Sequence, residues 1–183
     1  MTALTERPGV VAPQSHAAET RQQVAARYVW AGLRLALGWI FVWAFLDKMF
    51  GWSFATESES AVVNGGSPTE GFLAFGTTGA FAGFYQDIGG AAWADVLFMV
   101  GLAGIGIALL AGIGIRIAAA TGALLMVLMW SAALPPENNP FMDDHLIYAG
   151  LLVGLALVGA GTTLGFGKYW ASLPLVQRLP WLK

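Results

Sequence analysis

The sequence predicts an all-α integral membrane protein, a four-transmembrane-helix bundle with short interfacial helices in the long loop between helices 1 and 2. Three observations lead to this prediction. The 183 residues are 57% hydrophobic and only 11% charged, whereas soluble domains carry about 25% charged residues. Four apolar segments have about the length that a helix needs to cross the hydrocarbon core. The connection between the first two is about 45 residues long, which is enough to hold structure of its own.

The chain divides into three predicted parts. Residues 1–26 form a polar cytoplasmic tail without an apolar run, which we interpret as exposed and disordered rather than as a cleaved signal. Residues 27–167 form the membrane domain. Residues 168–183 mix Trp, Leu and basic residues and are predicted to form an interfacial cytoplasmic tail. The membrane helices are predicted over residues 28–46, 92–110, 115–134 and 144–161.

The outer loop over residues 47–91 is predicted to contain two short surface helices. Residues 67–70 (SPTE) form a capping box with Pro at the first helical position, and Gly76 is a plausible helix end. A second helix is indicated by apolar side chains at helical spacing, namely Phe81, Phe84, Tyr85 and Ile88. These helices either cap the bundle or form a gating lid.

The charged residues predict the orientation. With four spans both termini lie on one side, which receives most of the Lys and Arg residues. The other side receives Lys48 and the acids Asp47, Glu57, Glu59, Glu70, Asp87, Asp95, Glu137, Asp143 and Asp144. The positive-inside rule then places both termini in the cytoplasm. The outer face carries about minus eight formal charges, which would repel an anionic substrate and attract a basic partner.

Several chemistries are excluded or disfavoured by composition. The chain has no Cys, so it holds no thiol relay and no iron-sulfur cluster of its own. Its two histidines are His16, in the polar tail, and His145, which disfavours a bis-histidine haem. No phosphate-binding glycine loop or nucleic-acid patch is present. We therefore expect no haem, iron-sulfur or flavin group held by this chain alone, and no nucleic-acid partner.

A polar cluster is predicted at the outer mouth of the bundle. Asp47 and Lys48 end the first helix, and residues 143–145 (Asp143, Asp144, His145) begin the last, at the same predicted depth as Asp95. Histidine exchanges protons near neutral pH, and a quinone site needs such a group beside an apolar slot. Trp39 and Trp43, with Phe45, are candidates to line that slot.

The same residues also have a structural interpretation. Asp143 or Asp144 is a good N-cap for the last helix, and the Asp47–Lys48 pair is typical of a solvated interface. No metal site is predicted, because three consecutive residues at a helix start point in different directions.

Arg34 is the one charged residue inside the first apolar segment. Three interpretations are open for it. It can snorkel to a lipid phosphate, bond free backbone carbonyls, or bind a ligand such as a quinone carbonyl.

Four segments in a fixed order point to a known family: residues 33–39 (LRLALGW), 46–51 (LDKMFG), 71–76 (GFLAFG) and 139–148 (NPFMDDHLIY). Together they resemble the DoxX/DoxD family of four-helix membrane proteins of bacteria and archaea, and the likeness covers residues 28–175. The resemblance implies a subunit of the cytoplasmic membrane associated with thiosulfate:quinone oxidoreductase. That enzyme oxidises thiosulfate to tetrathionate and passes the electrons to a membrane quinone, commonly with a second, smaller subunit.

Two functions are therefore expected from the sequence. The first is a membrane subunit of a quinone-linked oxidoreductase, with a quinone as cofactor, membrane lipid around it and a second protein subunit or larger respiratory complex as partner. The second is a non-catalytic accessory or scaffold subunit of a respiratory or oxidative-stress complex, because other relatives are associated with linking a superoxide dismutase to a sulfurtransferase.

Overall fold

The computed structural model describes residues 19–183 and is helical, with no β-strand in that range. The predicted tail before Glu19 lies outside the described residues. Three helices are long and apolar enough to span a membrane, which indicates a membrane protein. The α-helices are α1 (Arg21–Phe50), α2 (Ala82–Ile88), α3 (Ala92–Ala111), α4 (Ile115–Ala132), α5 (Asp144–Leu157), α6 (Gly167–Ser172) and α7 (Pro174–Arg178).

Helix α1 begins at Arg21 rather than at residue 28. Its start is a capping box: Thr20 Oγ1 accepts from the Gln23 amide at 3.2 Å, and Gln23 Oε1 accepts from the Thr20 amide at 2.8 Å. Two backbone donors are thereby satisfied before the apolar run begins. The helix ends at Phe50 and is capped by Gly51, whose φ of 66° is in the left-handed region that favours glycine.

The other long apolar helices begin where the hydropathy predicts, at residues 92, 115 and 144. Helices α3 and α4 are separated by a tight reversal in which Gly112 and Gly114 have positive φ. Helix α5 has 14 residues, or about 21 Å at the helical rise, against about 30 Å of hydrocarbon. It ends at Leu157, and after the left-handed Gly159 the chain continues in a 3-10 turn, Ala160–Thr162.

The helices pack as antiparallel neighbours around one apolar core. Helix α1 packs mainly on α3 and α4 mainly on α5, while α3 also contacts α4. The buried core includes Leu37, Phe41, Leu102, Ile105, Leu109, Met126, Leu152 and Leu155. The outward faces are apolar as well, as in α3, where Leu97 is 66% and Val100 64% exposed. Such a surface suits contact with lipid rather than with water.

The connections gather at two ends of the bundle. Residues 51–91 and 133–143 share one end, which we call the loop end; there Tyr85 Oη donates to the Leu128 carbonyl oxygen at 3.1 Å. Residues 112–114 and 158–183 share the other, which we call the terminal end; there the Phe166 amide donates to the Ala111 carbonyl at 2.8 Å.

Residues 51–91 are folded into short helical turns. They comprise two 3-10 turns, Ser58–Ser60 and Val62–Asn64, a π-helical turn, Gly71–Phe75, and α2. Ser67 Oγ accepts from the Glu70 amide at 3.1 Å, as the SPTE pattern indicates. The aromatic face of α2 is divided, because Tyr85 is buried against α4 whereas Phe84 is 61% exposed.

The crossing of α1 and α3 depends on two glycines. A Cβ added at Gly106 would lie 2.6 Å from Val42 Cγ2 and 2.8 Å from the Val42 amide nitrogen, and one at Gly38 would lie 3.0 Å from Leu109 Cβ. These glycines let the two backbones approach closely, which is how helices associate in lipid.

We expect Gly106→Ala to destabilise the bundle by about 1–3 kcal/mol, because the added methyl group meets backbone of α1 that cannot move without opening the crossing. The measurement is the thermal unfolding midpoint in mild detergent. Gly104→Ala is the matched control: it lies on the same helix with nothing within 4 Å of its added Cβ, so it should be neutral or stabilising by up to about 1 kcal/mol. Equal midpoints for the two variants would contradict this account of the crossing.

Candidate functional site

The side chain of Arg34 is completely buried inside the bundle. Its Nη1 donates to the carbonyl oxygens of Leu109 and, at 3.1 Å, of Leu110, at the end of α3. Its Nη2 donates to the carbonyls of Thr163 at 3.2 Å and Leu164 at 2.7 Å. One guanidinium therefore joins α1, the end of α3 and the segment that follows α5.

Glycines make room for this guanidinium. An added Cβ would lie 3.1 Å from Arg34 Nη1 at Gly112 and 3.1 Å from Nη2 at Gly165. Leu164, whose carbonyl accepts from Arg34, has a φ of 52°. That left-handed conformation costs a non-glycine residue about 1–2 kcal/mol, and the hydrogen bond to Arg34 offsets part of this cost.

The structure therefore favours one of the three interpretations of Arg34, the bonding of free carbonyls. The last carbonyls of a helix have no partner within it and carry partial negative charge, so a buried cation is stabilised there without a carboxylate. Its terminal nitrogens are committed to backbone oxygens. The predicted role of Arg34 in binding a quinone receives no support from this geometry.

Asp47 fastens the turn that follows α1. Its side chain is 2% exposed; Oδ2 accepts from the Ala55 amide at 2.9 Å and Oδ1 from the Phe54 amide at 3.4 Å. Asp47 therefore does not form the exposed, solvated pair with Lys48 that the structural interpretation predicts. A carboxylate that satisfies buried amides is poorly placed to exchange protons with a ligand.

Asp95 has a similar role at the start of α3. Its Oδ1 accepts from Ser67 Oγ at 2.7 Å and from Thr69 Oγ1 at 2.6 Å. These bonds tie the middle of the long loop to the end of a membrane helix. They hold that part of the loop in place, which fits a fixed cap of the bundle better than a gating lid.

Lys48 lies half-buried on the flank of α1. Within residues 19–183 its ammonium group has no hydrogen-bond or ion-pair partner. It lines a shallow groove of about 440 Å³ together with Trp39, Ile40, Trp43, Ala44, Asp47, Phe54 and Ala55. We call this the indole groove.

Aromatic side chains form the walls of the indole groove. The ring centroids of Trp39 and Trp43 are 5.7 Å apart, and Phe54 meets Trp43 edge-on at 5.0 Å. Trp52 also contacts Trp43, at 5.5 Å. The predicted pair of tryptophans is thus found together, while Ile40 and Phe54 were missed. The sequence signal for Phe54 is the W-S-F run directly after the helix.

His145 pairs with its neighbours at the start of α5. Its Nδ1 lies 2.8 Å from Asp143 Oδ2 and 3.6 Å from Asp144 Oδ1. Asp143 is also the N-cap of α5, since its Oδ1 accepts from the Leu146 amide at 3.3 Å. Asp144 is largely exposed, and His145 and Asp143 are mostly covered.

The expectation that residues 143–145 point apart is wrong. One ligand-type atom from each of the three lies within 4.8 Å of the others. The reason is that Asp143 is outside the helix, in an extended conformation, so its side chain turns back toward His145. Its carboxylate is already engaged by the Leu146 amide and the imidazole.

The residues of the predicted outer-mouth cluster lie at the loop end but do not form one cluster. No hydrogen bond or ion pair within the described residues connects Asp47 or Lys48 with Asp143, Asp144 or His145. Asp143 and Asp144 line a separate cleft of about 630 Å³ between the π-helical turn and residues 133–142, and it shares no residue with the indole groove. Their equal predicted depth does not bring these groups into contact, and their catalytic role stays a prediction.

The chain matches no protein-family model, no curated protein and no solved structure. The resemblance to the DoxX/DoxD family stays a prediction from its motifs.

We expect Arg34→Lys to lower the free energy of unfolding by on the order of 3 kcal/mol. A single ammonium cannot reach both the end of α3 and the Thr163–Leu164 carbonyls, and each buried carbonyl left without a donor costs about 1–3 kcal/mol. Thermal unfolding in mild detergent measures the loss. Limited proteolysis should also show faster cleavage after α5, where the segment is released.

Arg27→Lys is the matched control for this experiment. Arg27 is on the same helix but exposed, paired with Glu19 at 2.9 Å, and such pairs contribute about 0–1 kcal/mol. If Arg34→Lys unfolds no earlier than Arg27→Lys, the guanidinium is not what joins the three segments.

Proposed function

We propose that this protein is a membrane subunit of a quinone-linked oxidoreductase and that the indole groove receives the quinone headgroup. The observation that carries the proposal is the combination in that groove of an unpaired ammonium group, on Lys48, with indole walls on a lipid-facing helix. A lipid-soluble ring with carbonyl oxygens needs an apolar slot and a small number of placed donors.

The proposal includes four membrane spans with both termini on one side. It is supported by the gathering of the connections at two ends and by the charges there, since Lys48 is the one cation among the acids of the loop end. In this arrangement α5 and the turn Ala160–Thr162 form the fourth span. The positive-inside rule then places the terminal end in the cytoplasm of a bacterium or archaeon.

The residues of the groove fit the headgroup in part. Lys48 Nζ is a donor for a carbonyl oxygen, and Trp39 and Trp43 offer faces on which a flat ring can stack. A bound quinone supplies an acceptor for electrons and protons. Asp47, the one carboxylate in the groove, is committed to the amides of Phe54 and Ala55. The chain's own contribution is therefore to bind and orient the quinone. The protons that the quinone takes up on reduction must come from water or from a partner.

Thiosulfate as the electron donor is the finer part of the proposal and rests on the family resemblance. Oxidation joins two thiosulfate ions into one tetrathionate and releases two electrons. The acids of the loop end repel a dianion. We therefore place the sulfur chemistry on a partner subunit with a basic surface that docks at the loop end.

A second candidate function is a non-catalytic scaffold subunit. It is favoured by one specific observation: Asp47, Asp95 and Asp143 all accept hydrogen bonds from the protein itself. Acids that already accept hydrogen bonds from the fold are less available for proton transfer. Their charge still gives the loop end an electrostatic surface for a basic partner.

The first test of the proposal is Lys48→Met in the complex purified from its native membrane. Loss of a charge-assisted hydrogen bond of about 1.5–3 kcal/mol should raise the KM for a soluble quinone by on the order of tenfold or more. Thiosulfate-dependent quinone reduction is the assay. Trp43→Leu should have an effect in the same direction, because it removes a stacking face.

Trp93→Leu is the control for the groove variants. Trp93 is a tryptophan near the loop end of α3, 61% exposed and outside the indole groove, so its loss should leave the KM unchanged. If the KM for quinone is unchanged in both Lys48→Met and Trp43→Leu, the quinone does not bind in this groove. If the purified chain carries a stoichiometric partner but does not reduce quinone, the result favours the second candidate function, a non-catalytic scaffold subunit.

The second test concerns His145. If the pair with Asp143 exchanges protons during turnover, His145→Ala should lower kcat by on the order of 100-fold and leave the KM for quinone unchanged, because His145 does not line the groove. Glu137→Gln, which changes another polar side chain at the loop end, is the control and should keep a normal kcat. Normal kcat in His145→Ala would exclude proton transfer through His145 from the reaction.

A further inference from the structure

The terminal end carries an ordered structure that the proposed function does not use. Residues 164–183 form α6, α7 and a last 3-10 turn, Pro180–Leu182. We call these residues together with Arg116 the collar. Trp170 Nε1 donates to the Leu182 carbonyl at 2.6 Å, which closes the segment on itself.

The collar is fastened to the membrane helices. Arg116, in the first turn of α4, donates from Nη1 to the Pro180 carbonyl at 2.9 Å, and its backbone amide donates to Lys183 O at 2.9 Å. Val176, in the middle of α7, is fully buried. The surface of the collar therefore has a fixed position relative to the bundle.

The outer surface of the collar combines large apolar side chains with cations. Phe166 is 67%, Tyr169 69% and Leu175 61% exposed, and Trp181 is 59% exposed. Along the chain, Lys168 lies between Phe166 and Tyr169, and Arg178 lies between Leu175 and Trp181; both cations are exposed and without an ion-pair partner within residues 19–183. The acid described at this end, Glu19, is paired with Arg27.

We propose that the collar binds the headgroups of anionic phospholipids. Its cations attract phosphate, and the aromatic and aliphatic side chains beside them suit the boundary between headgroups and acyl chains. Inorganic phosphate has no apolar part that could contact Phe166, Leu175 and Trp181, whereas a phospholipid has acyl chains. A basic segment next to a membrane helix gains about 1 kcal/mol per cation from an anionic surface. This inference is independent of quinone binding at the other end of the bundle.

The experiment uses the full chain in an uncharged detergent and follows its thermal unfolding midpoint during titration with phosphatidylglycerol. We expect saturable stabilisation. The double variant Lys168→Gln/Arg178→Gln should bind the lipid about 30-fold more weakly, the effect of losing two such cations. Lys168→Arg/Arg178→Lys, which keeps both charges, should behave as the unmodified protein.

The control variant is Arg21→Gln/Arg27→Gln, which removes two cations from the same end but outside the collar. It should keep at least most of the affinity. Phosphatidylcholine and inorganic phosphate are the control ligands, and neither should stabilise the protein appreciably. The inference is overturned if both double variants weaken binding equally, if phosphatidylcholine stabilises as well as phosphatidylglycerol, or if inorganic phosphate alone reproduces the effect.

Discussion

The burial of one guanidinium, that of Arg34, is the constraint on which the terminal half of the structure depends. Removing such a cation from water costs several kcal/mol, and the cost is offset only if its donors find good acceptors. The acceptors are the last carbonyls of α3 and those of Thr163 and Leu164. Because one side chain donates to both sets of carbonyls, the end of α3, the segment after α5 and α1 are fixed together. The collar begins within this junction, at Leu164, so its position is set by the same side chain.

The loop end is organised by anions in a complementary way. Asp47, Asp95 and Asp143 each accept from backbone amides or from hydroxyl groups of the loops. Buried or half-buried polar groups must be satisfied, and here loops and acids satisfy each other. Among the titratable predicted site residues, those without a structural hydrogen bond to the backbone of the described residues are Lys48, Asp144 and His145. A role in binding and positioning agrees better with so few free groups than a complete catalytic apparatus does.

Hydropathy and capping signals predicted the helical class and the starts of α3, α4 and α5, because both are local properties of the chain. The start of α1 was missed although its capping box, T-x-x-Q at residues 20–23, is visible in the sequence. Lateral contacts were not predictable in the same way. Gly104 has open space around it while Gly106, two residues on, meets α1, and only the rotation of the helix decides between them. Equal depth likewise suggested one polar cluster, whereas the loops hold its members apart.

The two halves of the loop end face different surroundings. The indole groove lies along the flank of α1, where Trp39 and Ile40 are half-exposed on a lipid-facing surface. The cleft beside Asp143 and Asp144 lies among loops, and its lining is rich in carboxylates and amides. A lipid-soluble molecule would therefore reach the groove along the flank of α1, whereas a water-soluble protein would reach the cleft from the loop end. The two surfaces share no lining residue, so the proposed function can assign the quinone to the groove and a docking partner to the acids of the cleft.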